Sequence, residues 1–251
     1  MPRFGALRVT IDEDGTALAR HAAGVTAALL ADAISARGAA TAMFATGNSQ
    51  LAFLDELVAC VGIDWASVTA FHLDEYVGVA ADHPASFRRY LTERLADRVR
   101  LRKFHFIAGD APDPGQEAAH YADLIAANPL DVCCVGIGEN GHLAFNDPPG
   151  VRFDDPAAVK VVALAEASRR QQLGEGHFAT LGEVPTHAIT VTIPAILEAA
   201  AVVAIVPEGR KARAVQAALT GSVTPDCPAS ILRDQSHAQL FLDRDAAALV
   251  Q

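Results

Sequence analysis

The stretch DVCCVGIGENGHLAFNDPP, Asp131 to Pro149, decides how the rest of the chain is read. Val132 to Val135 is an uncharged apolar run, the pattern of a buried central strand. Gly136, Gly138 and Gly141 then permit tight backbone turns, so the strand breaks into a loop carrying Glu139, Asn140, His142, Asn146 and Asp147. In open α/β sheets, ligands bind outside the carboxyl ends of the strands, where this polar cluster falls. Successive strand side chains point to opposite faces, so Cys133 and Cys134 are expected as two buried thiols acting as small hydrophobes.

Outward from this strand, apolar runs alternate with longer segments of helical period. Strands are expected at Leu7–Ile11, Ala40–Ala45, Val68–Leu73 and Phe104–Ile107, with helices at Ala17–Arg37, Ser49–Val61, Ala85–Val99 and Gly115–Ala127. After the central strand, VKVVALA (159–165), HAITVTI (187–193), PAILEAA (194–200), AVVAIV (201–206), GRKARAVQAAL (209–219) and AQLFLD (238–243) continue the rhythm. Such alternation specifies an α/β fold, Rossmann-like and doubly wound, in which a mostly parallel sheet carries helices on both faces. A single domain over residues 1–251 is expected. One segment, 148–186, is polar and loop-rich, with Arg169, Arg170, Gln171, Gln172 and His177. It reads either as a lid-like insertion or as an ordinary surface excursion.

The bulk properties narrow the function. Half of the 251 residues are hydrophobic, enough for a substantial core. A net charge of −10 argues against nucleic acid as a general partner, because phosphate backbones need a basic face. A small anionic substrate needs only a local positive pocket. No run of eighteen apolar residues reads as a membrane span, and Asp12 to Asp14 follow too soon after Arg3 for a secretory leader. Cys60, Cys133, Cys134 and Cys227 show no zinc-like spacing. The expectation is a cytoplasmic protein with no metal, no cofactor and no membrane partner, open to homo-oligomerisation.

Three strand ends carry unusual residues. ATGNSQ, Ala45 to Gln50, leads a strand through Thr46, Gly47, Asn48 and Ser49 into a helix, which suits an anion at exposed amides, although Ser49 as a plain N-cap explains the same letters. FHLDEYVG, Phe71 to Gly78, places Asp74 and Glu75 directly after a buried strand, where a carboxylate can serve as a base if burial or a like charge tunes its pKa. In the opening stretch, Asn140 and Asp147 bracket His142, and a carboxylate near imidazole sets its tautomer and basicity.

At these three motifs together the chain resembles the glucosamine-6-phosphate deaminase family, whose fold is shared with 6-phosphogluconolactonases. LDEYVG (73–78) with HPASF (83–87) and GIGENGHLAFNDP (136–148) carry the resemblance, supported by TGNS (46–49) and GRKARAVQAAL (209–219). The resemblance implies aldose–ketose isomerisation of an amino-sugar phosphate with loss of ammonia, most simply glucosamine 6-phosphate to fructose 6-phosphate, without a metal. It assigns Asp74 as the base between C2 and C1, and His142 as the ring-opening acid/base supported by Asn140 and Asp147. Thr46, Gly47, Asn48, Ser49 and Lys211 take the phosphate, with Gly138 a further substrate-binding position. Asn48 stands where the family usually has glycine, Gln50 where it has proline, and Asp147 where it has glutamate. A lid arginine that many members use for phosphate has no evident counterpart in RRQQLGEGHF (169–178), where Arg169, Arg170 or His177 are the candidates to replace it.

Other readings share these residues. A paralogue would act on another amino-sugar phosphate such as galactosamine 6-phosphate. A 6-phosphogluconolactonase fits less well, since relatives of that type carry a DER-like segment where this chain has DEY. A non-catalytic sugar-phosphate sensor has no need of Asp74 or His142.

Overall fold

A computed structural model describes residues 3–176 and 178–250. The first half of the chain forms β1 (Arg3–Phe4), β2 (Leu7–Asp12), α1 (Gly15–Arg37), β3 (Ala40–Phe44), α2 (Leu51–Ala59), β4 (Val68–His72), β5 (Asp74–Tyr76), α3 (Phe87–Leu91), β6 (Lys103–Phe104) and α4 (Pro114–Ala126). The second half forms β7 (Val132–Val135), β8 (Val159–Ala163), α5 (Glu166–Gly174), β9 (His187–Val191), α6 (Ile193–Leu197), β10 (Ala201–Val206), α7 (Ala212–Thr220) and β11 (Ala238–Asp243).

Among the described residues, eight strands form one sheet in the order β1-β2-β11-β10-β7-β3-β4-β6, parallel except at the β1–β2 edge. The mostly parallel α/β reading holds. Strand β7 is central, with Met43 of β3 opposite Cys133 and Val203 of β10 opposite Cys134. Both thiols are fully buried and lie in different core layers. Cys133 shares its layer with Tyr121 of α4 and Leu219 of α7, whereas Cys134 shares the other with Leu30 of α1 and Leu54 of α2.

The strand order explains why distant motifs meet. From β3 the chain builds outward through β4 to β6, then returns to lay β7 against the other side of β3. Between β3 and β7 the connections diverge, leaving a crevice at the carboxyl ends of the strands, the usual ligand position in such sheets. Segments following four neighbouring strands, β4, β3, β7 and β10, therefore emerge side by side.

Helix α1 starts two residues earlier than its apolar period indicated, because Asp14 accepts a hydrogen bond from Ala17 N at 2.8 Å and caps the first turn. By length and composition it qualifies as a membrane-crossing helix, yet Leu18, Ala22, Ala23 and Leu30 are buried against the sheet.

Part of the rhythm resolves differently. VKVVA and HAITV do not enter the parallel sheet; with DEY they form a separate antiparallel sheet, ordered β5-β9-β8. From Lys160 to Ala163 burial alternates along β8, with Lys160 and Val162 partly covered and Val161 and Ala163 exposed, as expected of a sheet with one wet face. AVVAIV of β10 is buried at every position, the signature of a strand covered on both sides. Segment 148–186 is less irregular than its composition suggested, since it contains β8 and α5.

Candidate active site

A cleft of about 520 Å³, counted to its open mouth, lies at the crevice between β3 and β7. Thr46, Gly47 and Ser49 from the end of β3, Asp74 from β5, Gly138 and His142 after β7, and Lys211 before α7 all line it. Asn48, Asn140 and Asp147 are not on its wall. Asn140 and Asp147 contact the wall residue His142 from behind, and Asn48 meets the helix that closes the cleft on one side.

The loop after β3 turns at Gly47, whose φ of 99° and ψ of 162° suit glycine and strain other residues. Its carbonyl accepts hydrogen bonds from Tyr90 Oη and Gln50 N, both at 2.9 Å. Ser49 does not cap the following helix; its hydroxyl accepts a hydrogen bond from Gln50 Nε2 at 3.2 Å and stays on the cleft wall. The buried Gln50 amide also donates to Ile205 O at 3.1 Å, tying the loop to β10.

Asp74 and Glu75 part company because a strand sends consecutive side chains to opposite faces. Asp74 faces the cleft. Glu75 is fully buried on the other side and accepts from Ser86 Oγ at 2.8 Å, Phe87 N at 3.1 Å and Arg88 N at 2.9 Å. These amides open α3 and lack partners within the helix, so Glu75 is a structural cap. Burial raises the Asp74 pKa well above the ordinary carboxylate value; the charges of Glu75 and Asp147 add to it, and the Phe145 amide opposes it.

His142 sits where only glycine leaves room. A Cβ on Gly138 would lie 2.2 Å from the imidazole ring, and Gly138 N donates to His142 O at 2.9 Å. His142 N in turn donates to Asn140 Oδ1 at 3.1 Å. The ring's Nδ1 lies 3.0 Å from Asp147 Oδ1. An ionised carboxylate only accepts, so this contact assigns the proton to Nδ1 and leaves Nε2 as the basic nitrogen. Burial raises the Asp147 pKa, but hydrogen bonding and charge from His142, with donors from Ser168 and Asn140, outweigh it and hold the carboxyl below its ordinary value. Two carboxylates thus share one site with opposite shifts, an arrangement that separates acid from base roles.

Lys211 is 3% exposed. Burial lowers its pKa, as does the charge of Arg210, while Glu139, Glu175 and Glu208 act the other way. Arg210 itself turns outward, pairing with Glu208 and, at 3.2 Å, with Glu139.

Helix α5 supplies residues that composition did not single out as part of the site. Ser168, buried to 1% exposure, donates to Asp147 Oδ1 at 2.5 Å and lies 3.1 Å from His142 Nδ1. Gln171, Gln172 and Glu175 line the cleft. Tyr76 Oη donates to Gln172 Oε1 at 2.6 Å, and Glu139 N donates to Gln171 Oε1 at 3.1 Å. The arginines of this helix do not join them. Arg169 donates to the carbonyls of Leu181 and Val184, bracing the segment, and Arg170 pairs with Glu166 on the exposed face. His177 lies outside the described residues.

Comparison with known proteins identifies the family and the fold. The model of the family described as glucosamine-6-phosphate isomerases/6-phosphogluconolactonase matches residues 13–242. A glucosamine-6-phosphate deaminase of Exiguobacterium sp. (strain ATCC BAA-1283 / AT1b) is 41% identical over 74% of this chain and 71% of its own length. The protein of the same name from Listeria monocytogenes serotype 4a is 34% identical over 82% of this chain and 86% of its own. Among solved structures, a monomeric glucosamine-6-phosphate deaminase superposes with a TM-score of 0.87 at 29% identity, covering 96% of this chain and 99% of that one. The 6-phosphogluconolactonase of Trypanosoma brucei shares the fold at a TM-score of 0.79 and 16% identity, covering 97% and 98% of the two chains. The chain belongs to the glucosamine-6-phosphate isomerase/6-phosphogluconolactonase family.

Proposed function

We propose that this chain deaminates and isomerises glucosamine 6-phosphate, consuming one water and releasing fructose 6-phosphate and ammonia. The observation that carries the reading is the presence of Asp74 and the Asp147-oriented His142 on the wall of one cleft with the Thr46–Ser49 loop and Lys211. The phosphate docks on the loop and Lys211, where amides and a buried cation meet. His142, through Nε2, exchanges the proton that opens the pyranose ring. Asp74 takes the proton from C2 of the open sugar and delivers it to C1, leaving an imine at C2. Water adds to that imine, and ammonia departs as the ketone forms. A carboxylate whose pKa is raised toward the working pH suits a shuttle that must both take and return a proton.

Segment 148–186 acts as the lid in this reading, because α5 lines one side of the cleft and meets both the loop and His142. Among the described residues, the lid presents Gln171, Gln172 and Glu175 to the cleft where an arginine was sought. For that reason a second amino-sugar phosphate, galactosamine 6-phosphate, is a specific alternative substrate. Ammonia release with glucosamine 6-phosphate and galactosamine 6-phosphate, alongside hydrolysis of 6-phosphogluconolactone, tests the assignment. Turnover of the first is expected; exclusive turnover of either other compound would replace it.

A further inference from the structure

Glu175, the C-cap residue directly after α5, sits on the loop that the proposed function gives to the substrate's phosphate. Its Oε2 accepts from Asn48 N at 3.3 Å, and its backbone carbonyl accepts from Asn48 Nδ2 at 3.5 Å. The two carboxylate oxygens lie 3.4 and 3.6 Å from where a side chain on Gly47 would begin, so the carboxylate packs in van der Waals contact against the glycine turn. Its charge also favours the ammonium form of buried Lys211. A carboxylate and a phosphate present the same chemistry to such a loop, oxygen acceptors bearing negative charge. A buried lysine beside exposed amides is poorly balanced without negative charge nearby, and Glu175 contributes it together with Glu139 and Glu208.

We propose that Glu175 is an internal counter-anion: it occupies the phosphate loop of the free enzyme, and substrate binds by displacing it. The two anions cannot share the loop, because like charges in contact repel and the amide is already engaged. Displacement makes Glu175 a specificity residue. A phosphate dianion, with more charge and more acceptor oxygens, outcompetes the carboxylate for the loop and Lys211. An uncharged sugar has nothing to exchange for it. Release of Glu175 also frees the end of α5, whose Ser168 touches the His142–Asp147 pair, so phosphate docking and the acid/base end share one helix.

This inference rests on the phosphate site proposed above, and the test separates the two. Binding of inorganic phosphate is measured by calorimetry, and KM for glucosamine 6-phosphate by ammonia release, in the native chain, Glu175→Gln, Glu175→Asp and Lys211→Met. If the carboxylate holds the loop in about nine molecules of ten, it weakens apparent phosphate binding about tenfold. Both Glu175 variants should therefore tighten phosphate and lower KM by about three- to tenfold, the shorter aspartate because it falls short of the loop. Lys211→Met should weaken both. Weaker or unchanged phosphate binding in the Glu175 variants, with Lys211→Met still harmful, overturns the counter-anion and leaves the phosphate site standing. No effect of Lys211→Met on phosphate or KM overturns the phosphate site itself. Hydrogen exchange gives a second readout: saturating phosphate should speed exchange in residues 171–176 of the native chain, and unaltered exchange there would also overturn displacement.

Discussion

Ser168 Oγ donates to Asp147 Oδ1 at 2.5 Å, so a hydroxyl from α5 completes the carboxylate that orients His142. Asn140 Nδ2 donates to the same oxygen at 3.0 Å, and His142 Nδ1 lies at 3.0 Å. Three donors on one oxygen hold the short aspartate side chain in register with the ring. Ser168→Ala removes one of them and should lower kcat about ten- to a hundredfold with KM nearly unchanged, since a small misplacement of a catalytic group costs that much. Ser168→Thr, which keeps the hydroxyl, should recover part of the loss. Steady-state kinetics of both variants check it, and an equal fall in the two would assign Ser168 to packing alone.

Asp74→Asn should abolish ammonia release and stabilise the fold. Burial keeps the Asp74 pKa raised, so ionisation favours the unfolded chain, and this stability is lost as pH rises through the raised folded value. An amide does not ionise. At neutral pH the variant should therefore melt at a higher temperature than the native chain. Calorimetry paired with the activity assay measures both effects, and a Tm equal to or below that of the native chain contradicts the burial argument.

Asp147 has the opposite sign. Its folded pKa is held below the ordinary 3.8, so its ionised form adds stability above that value, and the contribution disappears as pH falls through the lowered one. Asp147→Asn should lower Tm at pH 7 and flatten the loss of Tm between about pH 5 and pH 2. Thermal melts across that range distinguish this from a uniform loss of stability.

Gly138→Ala should disable the enzyme with the fold intact. The new methyl would stand 2.2 Å from the His142 ring, so the ring must move off the cleft wall. A fall in kcat/KM of about a hundredfold or more is expected, with circular dichroism unchanged. Near-native activity would show that His142 tolerates displacement and is not the ring-opening group.

Tyr76→Phe leaves the buried Gln172 amide oxygen without its 2.6 Å donor. An unsatisfied buried acceptor costs about 1–3 kcal/mol. The measured consequence should be a lower Tm together with a higher KM, because Gln172 lies on the cleft-lining side of α5.

Much of this protein is readable along the chain because the signals are local. The uncharged run of β7, the glycines after it and the helical periods of α1 and α4 each report on their own few residues, and together they specify the α/β architecture. TGNS and His142 were legible for the same reason, as polar groups at the ends of apolar runs, whereas Lys211 came only from the family resemblance of GRKARAVQAAL. Asp74 and Glu75 were legible only as a pair. Which of them faces the cleft depends on the pairing of β5 with β9, since Asp74 lies opposite Thr190, more than a hundred residues away.

The tertiary structure alone decided the rest. β8 and β9 leave the parallel sheet because an antiparallel partner is available, and strand partners are chosen between segments rather than within them. EASRRQQLG lies in a stretch that reads as polar and loop-rich, and its letters say neither that it forms a helix nor which side turns inward. Only packing brings Ser168 to His142 and Glu175 to Asn48 while Arg170 points to solvent. A sequence determines which elements form through interactions a few residues apart; which side chains converge on a site depends on contacts between elements, and those exist only once the chain has closed on itself.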